Sequence, residues 1–373
     1  MINKIHIQNF KSINDLKLEV GRVNLFIGEN GSGKSNLLEA LVFASASDSN
    51  KLDNEFLVSR GLRVSEPILM RSAFDEENKD DEISIDISFN QGSSIYRLDN
   101  KNSTYSNWID SHSIMRHESK IFDNKSVKEK EAIQNGNSYI HKTLLNISET
   151  SNYKFENFII FSPEYSVLRN FYDEGQIQPL GVNGEGLFKL LKVVNSYEDQ
   201  SYINTIIKSL QLFDWFDGIN IHTDLAFGEK KIIIKDKYLY TEIDQRSTNE
   251  GFLFILFYVT LIVAKETPKA FAIDNIDSFL NPKLCTKLIS LVVELAKKYD
   301  KQIFLTTHNP AILDGINLND EEQKLFVVSR NDKGHTQIKN LTTEDNPLDE
   351  DGEALHLSEA FLRGYLGGLP RGF

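Results

Sequence analysis

The chain has a single cysteine, Cys285, so it holds no internal disulfide, and no Cys/His cluster carries zinc-ligand spacing. A reducing cytoplasm is the expected setting. Basic charge is not in excess: 41 Lys+Arg against 54 Asp+Glu leave a formal charge of −13. That argues against a generally basic nucleic-acid-binding surface, while a local basic groove stays compatible with it. No apolar run is long enough for a membrane helix. The longest, Phe252 to Ala264, is broken only by Thr260 and falls short of the ~18 residues required, so it predicts a helix buried in the core. Sustained heptads are missing, which argues against a long coiled coil. No internal repeat is visible. The opening Met1-Ile2-Asn3-Lys4-Ile5-His6-Ile7 alternates like a strand and is not read as a secretion signal.

What is present begins at Gly28. Gly28-Glu29-Asn30-Gly31-Ser32-Gly33-Lys34-Ser35 matches G-x-x-x-x-G-K-[ST], the phosphate-binding loop, in full. The apolar run Val23-Asn24-Leu25-Phe26-Ile27 before it predicts a buried strand, and Asn36 through Phe43 predicts the following helix. Strand, glycine loop and helix are what the chemistry requires. Glycines let backbone N–H groups converge on phosphate oxygens, and the helix N-terminus adds partial positive charge. Lys34 is placed to reach the β- and γ-phosphates of a nucleotide, and the Ser35 hydroxyl to ligate Mg²⁺. The nucleotide-binding set is Asn30, Gly31, Ser32, Gly33, Lys34, Ser35 and Asn36.

Further along, Asp75 to Glu82 is a polar, mostly acidic run read as a solvated loop. Ile83 to Phe89 alternates strictly, and Asn90-Gln91-Gly92-Ser93 is the expected turn into Ser94 to Leu98, a hairpin. Residues 100–155 are polar, with Lys and Glu mixed through 117–131, and predict helices and loops. Asn157 to Phe161 predicts a strand leaving through Ser162-Pro163-Glu164, and Gly184-Glu185-Gly186 opens a helix. Lys231 to Lys235 and Tyr238 to Tyr240 form a second strand-rich stretch. Phe271-Ala272-Ile273-Asp274 is a strand ending in a carboxylate, and after a helix around 283–298, Ile303 to Thr307 is a strand ending at His308. Alternating strands and helices here indicate an α/β core with parallel strands. The end, Gly364 to Pro370, is glycine-rich and reads as a tail or docking segment.

Asp274 at a strand end suits a carboxylate that holds Mg²⁺ in a P-loop ATPase. His308, just past the next strand, is similar to the γ-phosphate-sensing switch histidine of ABC-type ATPases. Asn249-Glu250-Gly251 looks like a degenerate signature motif, and Leu280-Asn281-Pro282 looks like a D-loop. With Ile7-Gln8-Asn9-Phe10-Lys11-Ser12 ahead of the P-loop, the chain resembles the ABC-type ATPase family, in the branch of RecF, SMC heads and the ATPase part of OLD nucleases. The resemblance covers about residues 1–60 and 240–330.

It implies an α/β P-loop NTPase of ABC-ATPase head type, a mixed β-sheet core with an inserted mainly helical lobe. The core is expected from 1–99 and 225–345, the lobe from 100–224, and the tail or docking segment from 346–373. ATP and Mg²⁺ are the implied ligands, Mg²⁺ on Ser35, Asp274 and, from a Q-loop-like position, Glu164. Arg60 or Arg63 reaches nucleotide or lies on the surface. Two heads would face each other as a homodimer or higher homo-oligomer, with Asn249, Glu250 and Gly251 acting in trans.

Two departures matter. The residue after the Walker B aspartate is usually glutamate and here is Asn275, which orients a water without acting as a base. Asp277 is a candidate substitute, or part of the D-loop or of a simple turn. Asn249 stands where a serine is common. With Lys34, Asn275, Asp277 and His308 as the catalytic set, tight binding and slow hydrolysis are expected, ATP serving as a switch. The chain resembles ATPase subunits of bacterial antiphage defence systems, of the Septu and PARIS types, whose effector is often a separate nuclease. No HNH signature is present, and the residues after His308 are too few for the nuclease domain of OLD proteins. A RecF-like DNA-repair ATPase is the alternative. A transporter ATPase lacks its L-S-G-G-Q here, a small-molecule kinase does not need His308, and no membrane is implied.

Overall fold

The computed structural model describes residues 1–74, 80–90, 92–102, 106–112, 155–171, 179–221, 231–348 and 352–369. The mixed Lys/Glu stretch 117–131 and part of the acidic run lie outside them.

Three sheets are present among the described residues, the smallest being β8 (Phe216–Ile221), β9 (Ile232–Asp236) and β10 (Ile243–Asp244) in the order β10-β9-β8. The N-terminal strands β1 (Ile2–Phe10) and β2 (Ile13–Glu19) join β4 (Ile83–Phe89), β5 (Gly92–Asp99) and β6 (Ile109–Asp110) in a five-stranded antiparallel sheet, in the order β2-β1-β4-β5-β6. The expected hairpin is therefore β4–β5. The central sheet runs β14-β13-β3-β12-β11-β7. Its strands are β3 (Val23–Gly28), β7 (Ile160–Phe161), β11 (Ala270–Ile273), β12 (Gln302–Thr307), β13 (Gln323–Arg330) and β14 (Thr336–Leu341). All its pairings are parallel except β13–β14.

Alternation along the central strands divides the interior into two cores. Phe26, Ala272, Phe304, Phe326 and Val328 face one side, against the helix Lys34–Asp48 (α1) and the five-stranded sheet. Leu25, Ile27, Phe271, Ile273, Leu305 and Val327 face the other, against helices that include Glu250–Val263 (α2) and Pro282–Lys298 (α3). The long apolar run is thus a buried helix, every residue from Gly251 to Val263 out of solvent. Asn249 and Asn281 start these two helices as N-caps, accepting from Phe252 N at 2.8 Å and Leu284 N at 3.0 Å.

Two strands depart from the expected lobe boundary of 100–224. β6 extends the five-stranded sheet, and β7 the central one, where Ala272 N and Asp274 N donate to Ile159 O and Phe161 O at 2.9 Å each. Apolar Ile160 and Phe161 are worth more buried beside β11 than in a polar lobe. Helices Leu187–Asn195 and Ser201–Leu210 also fall in this segment and pack into the core that holds α2. Tyr238-Leu239-Tyr240 is an exposed turn and not a strand, because the Asp236 carboxylate accepts Tyr238 N at 2.8 Å and bends the chain.

Candidate active site

The order β3-β12-β11 brings three strand ends side by side, and with them the P-loop, His308 and Asp274. In an open α/β sheet this carboxyl edge is where ligands bind. A cavity of about 420 Å³ lies there, lined by Asn30, Gly31, Gly33, Lys34, Ser35, Asn36, Arg63, Asp274, Asn275, His308 and Arg330.

Packing and hydrogen bonds from the surrounding fold hold the loop in shape. Gly33 has φ 108°, and a Cβ there would sit 2.0 Å from Thr336 Oγ1, so only glycine fits. Thr336 Oγ1 lies 2.9 Å from Ser32 O and 2.6 Å from Ser12 Oγ, and Asn36 Nδ2 donates to Ser12 Oγ at 2.6 Å. Lys34 Nζ donates to Gly28 O and Glu29 O at 2.8 and 2.9 Å. Ser32 Oγ is buried without a hydrogen-bond partner among the described residues.

Ser35 Oγ donates to Asp274 Oδ2 at 3.1 Å, and Thr306 Oγ1 also donates to the Asp274 carboxylate. A hydroxyl and a carboxylate side by side are the hard oxygen donors that Mg²⁺ prefers, so the residues fit that ion. No group of three or more His, Cys, Asp or Glu suited to a metal exists among the described residues, so Mg²⁺ would depend on nucleotide phosphates and water for its other ligands. Asn275 is held at φ 54° and donates its backbone N–H to Thr306 Oγ1 at 2.9 Å. Asn275 lines the cavity together with Asp274.

Burial, and then the field of the Lys34 ammonium, holds His308 below its ordinary value, and its Nδ1 lies 3.5 Å from Lys34 Nζ. The ring is therefore neutral at pH 7 and able to accept from the lysine. Burial also lowers Lys34 from 10.5 to about 8, against the opposing pull of Asp274 and Asp277. A bound polyphosphate favours the charged lysine, so ATP binding above pH 8 must recruit a proton. Affinity for ATP is expected to fall as pH rises past 8, by up to about tenfold per unit. Calorimetric titrations of the chain and of Lys34→Arg from pH 7 to 9.5 check this, since the arginine variant keeps its charge and should stay flat.

Two of the residues expected at this site, Asp277 and Glu164, do not line the cavity, and the signature residues expected to act in trans lie away from it as well. Asp277 is off the cavity wall, its Oδ1 taken by Thr307 Oγ1 at 2.7 Å. Glu164 is exposed at the exit of β7, outside the cavity lining. Gly251 is buried behind Phe279 O, 3.2 Å from where its Cβ would be, and the exposed Asn249 is away from the chain's own cavity.

The sequence did not single out Arg330 or Glu39. Arg330 Nε donates to Gly31 O at 2.7 Å from the end of β13. Glu39, 1% exposed, accepts Lys11 Nζ and Arg63 Nε at 2.5 Å each, tying the β1–β2 turn to α1 and to a cavity arginine. Glu39→Ala leaves Lys11 desolvated with only Arg63 O, at 2.8 Å, as acceptor. A loss of roughly 3 kcal/mol is expected from such a buried pair, read as a shift of the denaturation midpoint. Glu39→Gln, which keeps one acceptor, should lose less.

A family model described as an AAA domain matches residues 4–250, and another, described as AAA domain, putative AbiEii toxin, Type IV TA system, matches 250–314. An uncharacterized protein of Methanocaldococcus jannaschii is 36% identical over 113 residues, 29% of this chain and 50% of that protein. Structural maintenance of chromosomes protein 6 of Schizosaccharomyces pombe is 38% identical over 115 residues, 28% of this chain and 10% of its own length. DNA replication and repair protein RecF of Clostridium botulinum is 33% identical over 55 residues, 14% of this chain and 15% of its own. The chain thus spans half or less of these curated relatives. Among solved structures, an SMC head bound to the C-winged helix domain of ScpA aligns with TM-score 0.56 at 15% identity, over 92% of this chain and 98% of that one. At that identity it shows the fold, the SMC-head type of P-loop ATPase. No helix among the described residues is long and apolar enough to cross a membrane. With the AAA-domain match over most of its length, the P-loop on the central sheet and an SMC-head-like P-loop ATPase fold around it, the chain belongs to the AAA domain family.

Proposed function

We propose that this chain is a nucleotide-operated switch: it binds ATP with Mg²⁺, pairs with a second copy, hydrolyses slowly, and sets the state of a separate effector in bacterial antiphage defence. The observation that carries the slow step is the cavity wall, where Asp274 is the one carboxylate among the lining residues and Asn275 stands beside it. Lys34, the loop amides and the N-terminus of α1 bind the phosphates. Ser35 and Asp274 would hold Mg²⁺, which when bound neutralises charge on the β- and γ-phosphate oxygens. Asn275 orients the attacking water, and neutral His308 sits where it senses the γ-phosphate. Asn249, Glu250 and Gly251, being away from their own cavity, would meet the partner copy's nucleotide.

Support for a separate effector comes from likeness alone. The SMC head compared above is bound to a domain of another protein, ScpA, and one matching family is described as a putative toxin of a toxin–antitoxin system. A nuclease is the effector class we favour. The RecF likeness supports DNA binding as a second reading, over a much shorter stretch and against a charge of −13.

Mass in solution with and without ATP–Mg²⁺, with phosphate release followed in the same samples, tests the switch. A shift from monomer to dimer or larger, with turnover well under about 1 s⁻¹, is the expected result. Brisk turnover in a fixed oligomer would overturn it.

A further inference from the structure

The glycine-rich end of the chain lies against the ATP site. Helix Leu357–Leu362 packs on the 3₁₀ turn Pro310–Gly315, which begins two residues after His308. Ser358 clasps that turn, its N–H and Oγ donating to the two Asp314 carboxylate oxygens at 2.9 and 2.6 Å. Leu357, Ala360, Phe361 and Leu366 are buried in the core that contains Ile312, Leu313 and Val327. The segment then crosses the end of β13 to the P-loop. At Gly368, φ 79°, a Cβ would lie 2.5 Å from Val327 Cγ1, 3.3 Å from Phe361 Cε2 and 3.7 Å from Gly28 Cα. Gly28 is itself pressed on another side, where a Cβ would meet Val328 O at 2.0 Å. A cleft bounded by Glu29, Ser329, Arg330, Asn331 and the Gly364–Leu369 stretch continues directly from this contact.

We infer that Leu357–Leu369 is a positioning brace for the ATP site, Gly368 seating the first P-loop glycine while the Ser358–Asp314 clasp seats the His308 turn. The brace joins two loops that are 280 residues apart in sequence (308 against 28) and whose functional groups, Lys34 and His308, must stay within 3.5 Å of each other. The paired strands β3 and β12, Ile27 opposite Thr307, bring the two loops together, and the brace adds a contact to each. Because a segment outside the nucleotide cavity sets both loops, displacing it changes nucleotide affinity without any residue of the cavity being touched.

The inference rests on the ATP-site reading, so the first readout needs no nucleotide. Hydrogen exchange is compared in the full chain, in Gly368→Val and in Ser358→Ala. The valine adds bulk where there is none to spare and strains the backbone at positive φ; the alanine removes a single hydroxyl and keeps the fold safe. Amides of 28–33 and 308–314 are expected to exchange at least about tenfold faster in Gly368→Val, while 252–262 in α2 stays protected. In Ser358→Ala the acceleration should appear at 308–314 and, through the brace, at 28–33. ATP affinity should fall about tenfold in Gly368→Val, and Leu362→Ser, exposed on the same helix, should match the unaltered chain in both readouts. Unchanged exchange at 28–33 in both variants would overturn the inference. So would acceleration spread equally into α2, the mark of a merely structural role. An unaltered chain that failed to bind ATP would count against the ATP-site reading, and the exchange comparison would still decide the brace.

Discussion

Asn275→Glu is expected to raise single-turnover phosphate release by about 10²-fold or more, the gain that a positioned general base typically brings. Asn275 lines the cavity that also takes in Asp274 and His308, and an amide can orient a water by hydrogen bonds. An amide does not accept the proton that the water must lose. The neighbouring acid does not replace it: Asp277 is turned onto Thr307 Oγ1 and lies off the wall. Phosphoryl transfer depends chiefly on positioning and charge stabilisation, which Lys34 and the loop already supply, so the expected gain lies toward the lower end of the general-base range. The substitution has a conformational cost. Position 275 sits at φ 54°, a region asparagine enters more readily than glutamate, and about 1 kcal/mol of stability should be lost. Asn275→Asp tolerates the backbone better and reaches less far, and should give a smaller rate gain with less loss of stability. Quench-flow phosphate release and thermal melting of the three chains separate these effects. If the glutamate variant stays within threefold of the asparagine chain, water activation is not what limits it, and slow hydrolysis by this chain would lose its cause.

The parts of the site that lay in the sequence are those whose geometry is local. The P-loop is a contiguous run whose spacing alone fixes glycine, lysine and serine in place, and Asp274 and His308 each end an apolar strand that could be read from composition. What was not legible depends on which strands become neighbours. Arg330 meets Gly31 because β13 pairs with β3, Val328 opposite Gly28, and nothing near residue 330 announces that pairing. Glu39 is hidden for another reason. A lone glutamate in Leu37-Leu38-Glu39-Ala40-Leu41 reads as the exposed side of a helix, yet α1 is enclosed on almost all sides and the carboxylate is buried with two cations. β6 falls in a stretch whose polar sequence predicts helices and loops, and β7 is legible as an apolar strand but not as a strand of the central sheet. Their membership of the sheets follows from pairing with β5 and β11, a nonlocal choice that burial of Ile160 and Phe161 decides. The same holds for Gly368, whose glycine is explained only by Gly28 and Val327 from the far end of the fold.

Lys34→Ala is expected to weaken ATP binding by roughly 2–5 kcal/mol, about thirtyfold to several thousandfold, because it leaves buried phosphate charge without its cation. The structure separates this loss from unfolding. The Lys34 ammonium is buried, and desolvation pulls it down to about 8, with two loop carbonyls and the charges of Asp274, Asp277 and Glu29 compensating it in part. Removing a group the folded state tolerates poorly should move the denaturation midpoint little, whereas removing it from the complex takes away the strongest electrostatic partner the phosphates have. His308 gives an internal check. The lysine field helps to hold its ring neutral, so in Lys34→Ala the His308 titration should move up toward its ordinary value, followed by NMR of the imidazole. Loss of ATP affinity with an intact midpoint and a raised His308 titration would place the lysine where the phosphates bind. ATP affinity within threefold of the unaltered chain would mean that the phosphates lie elsewhere. Because pairing of two heads draws its free energy from contacts that exist only with nucleotide present, the variant should also stay unpaired at ATP concentrations that assemble the unaltered chain.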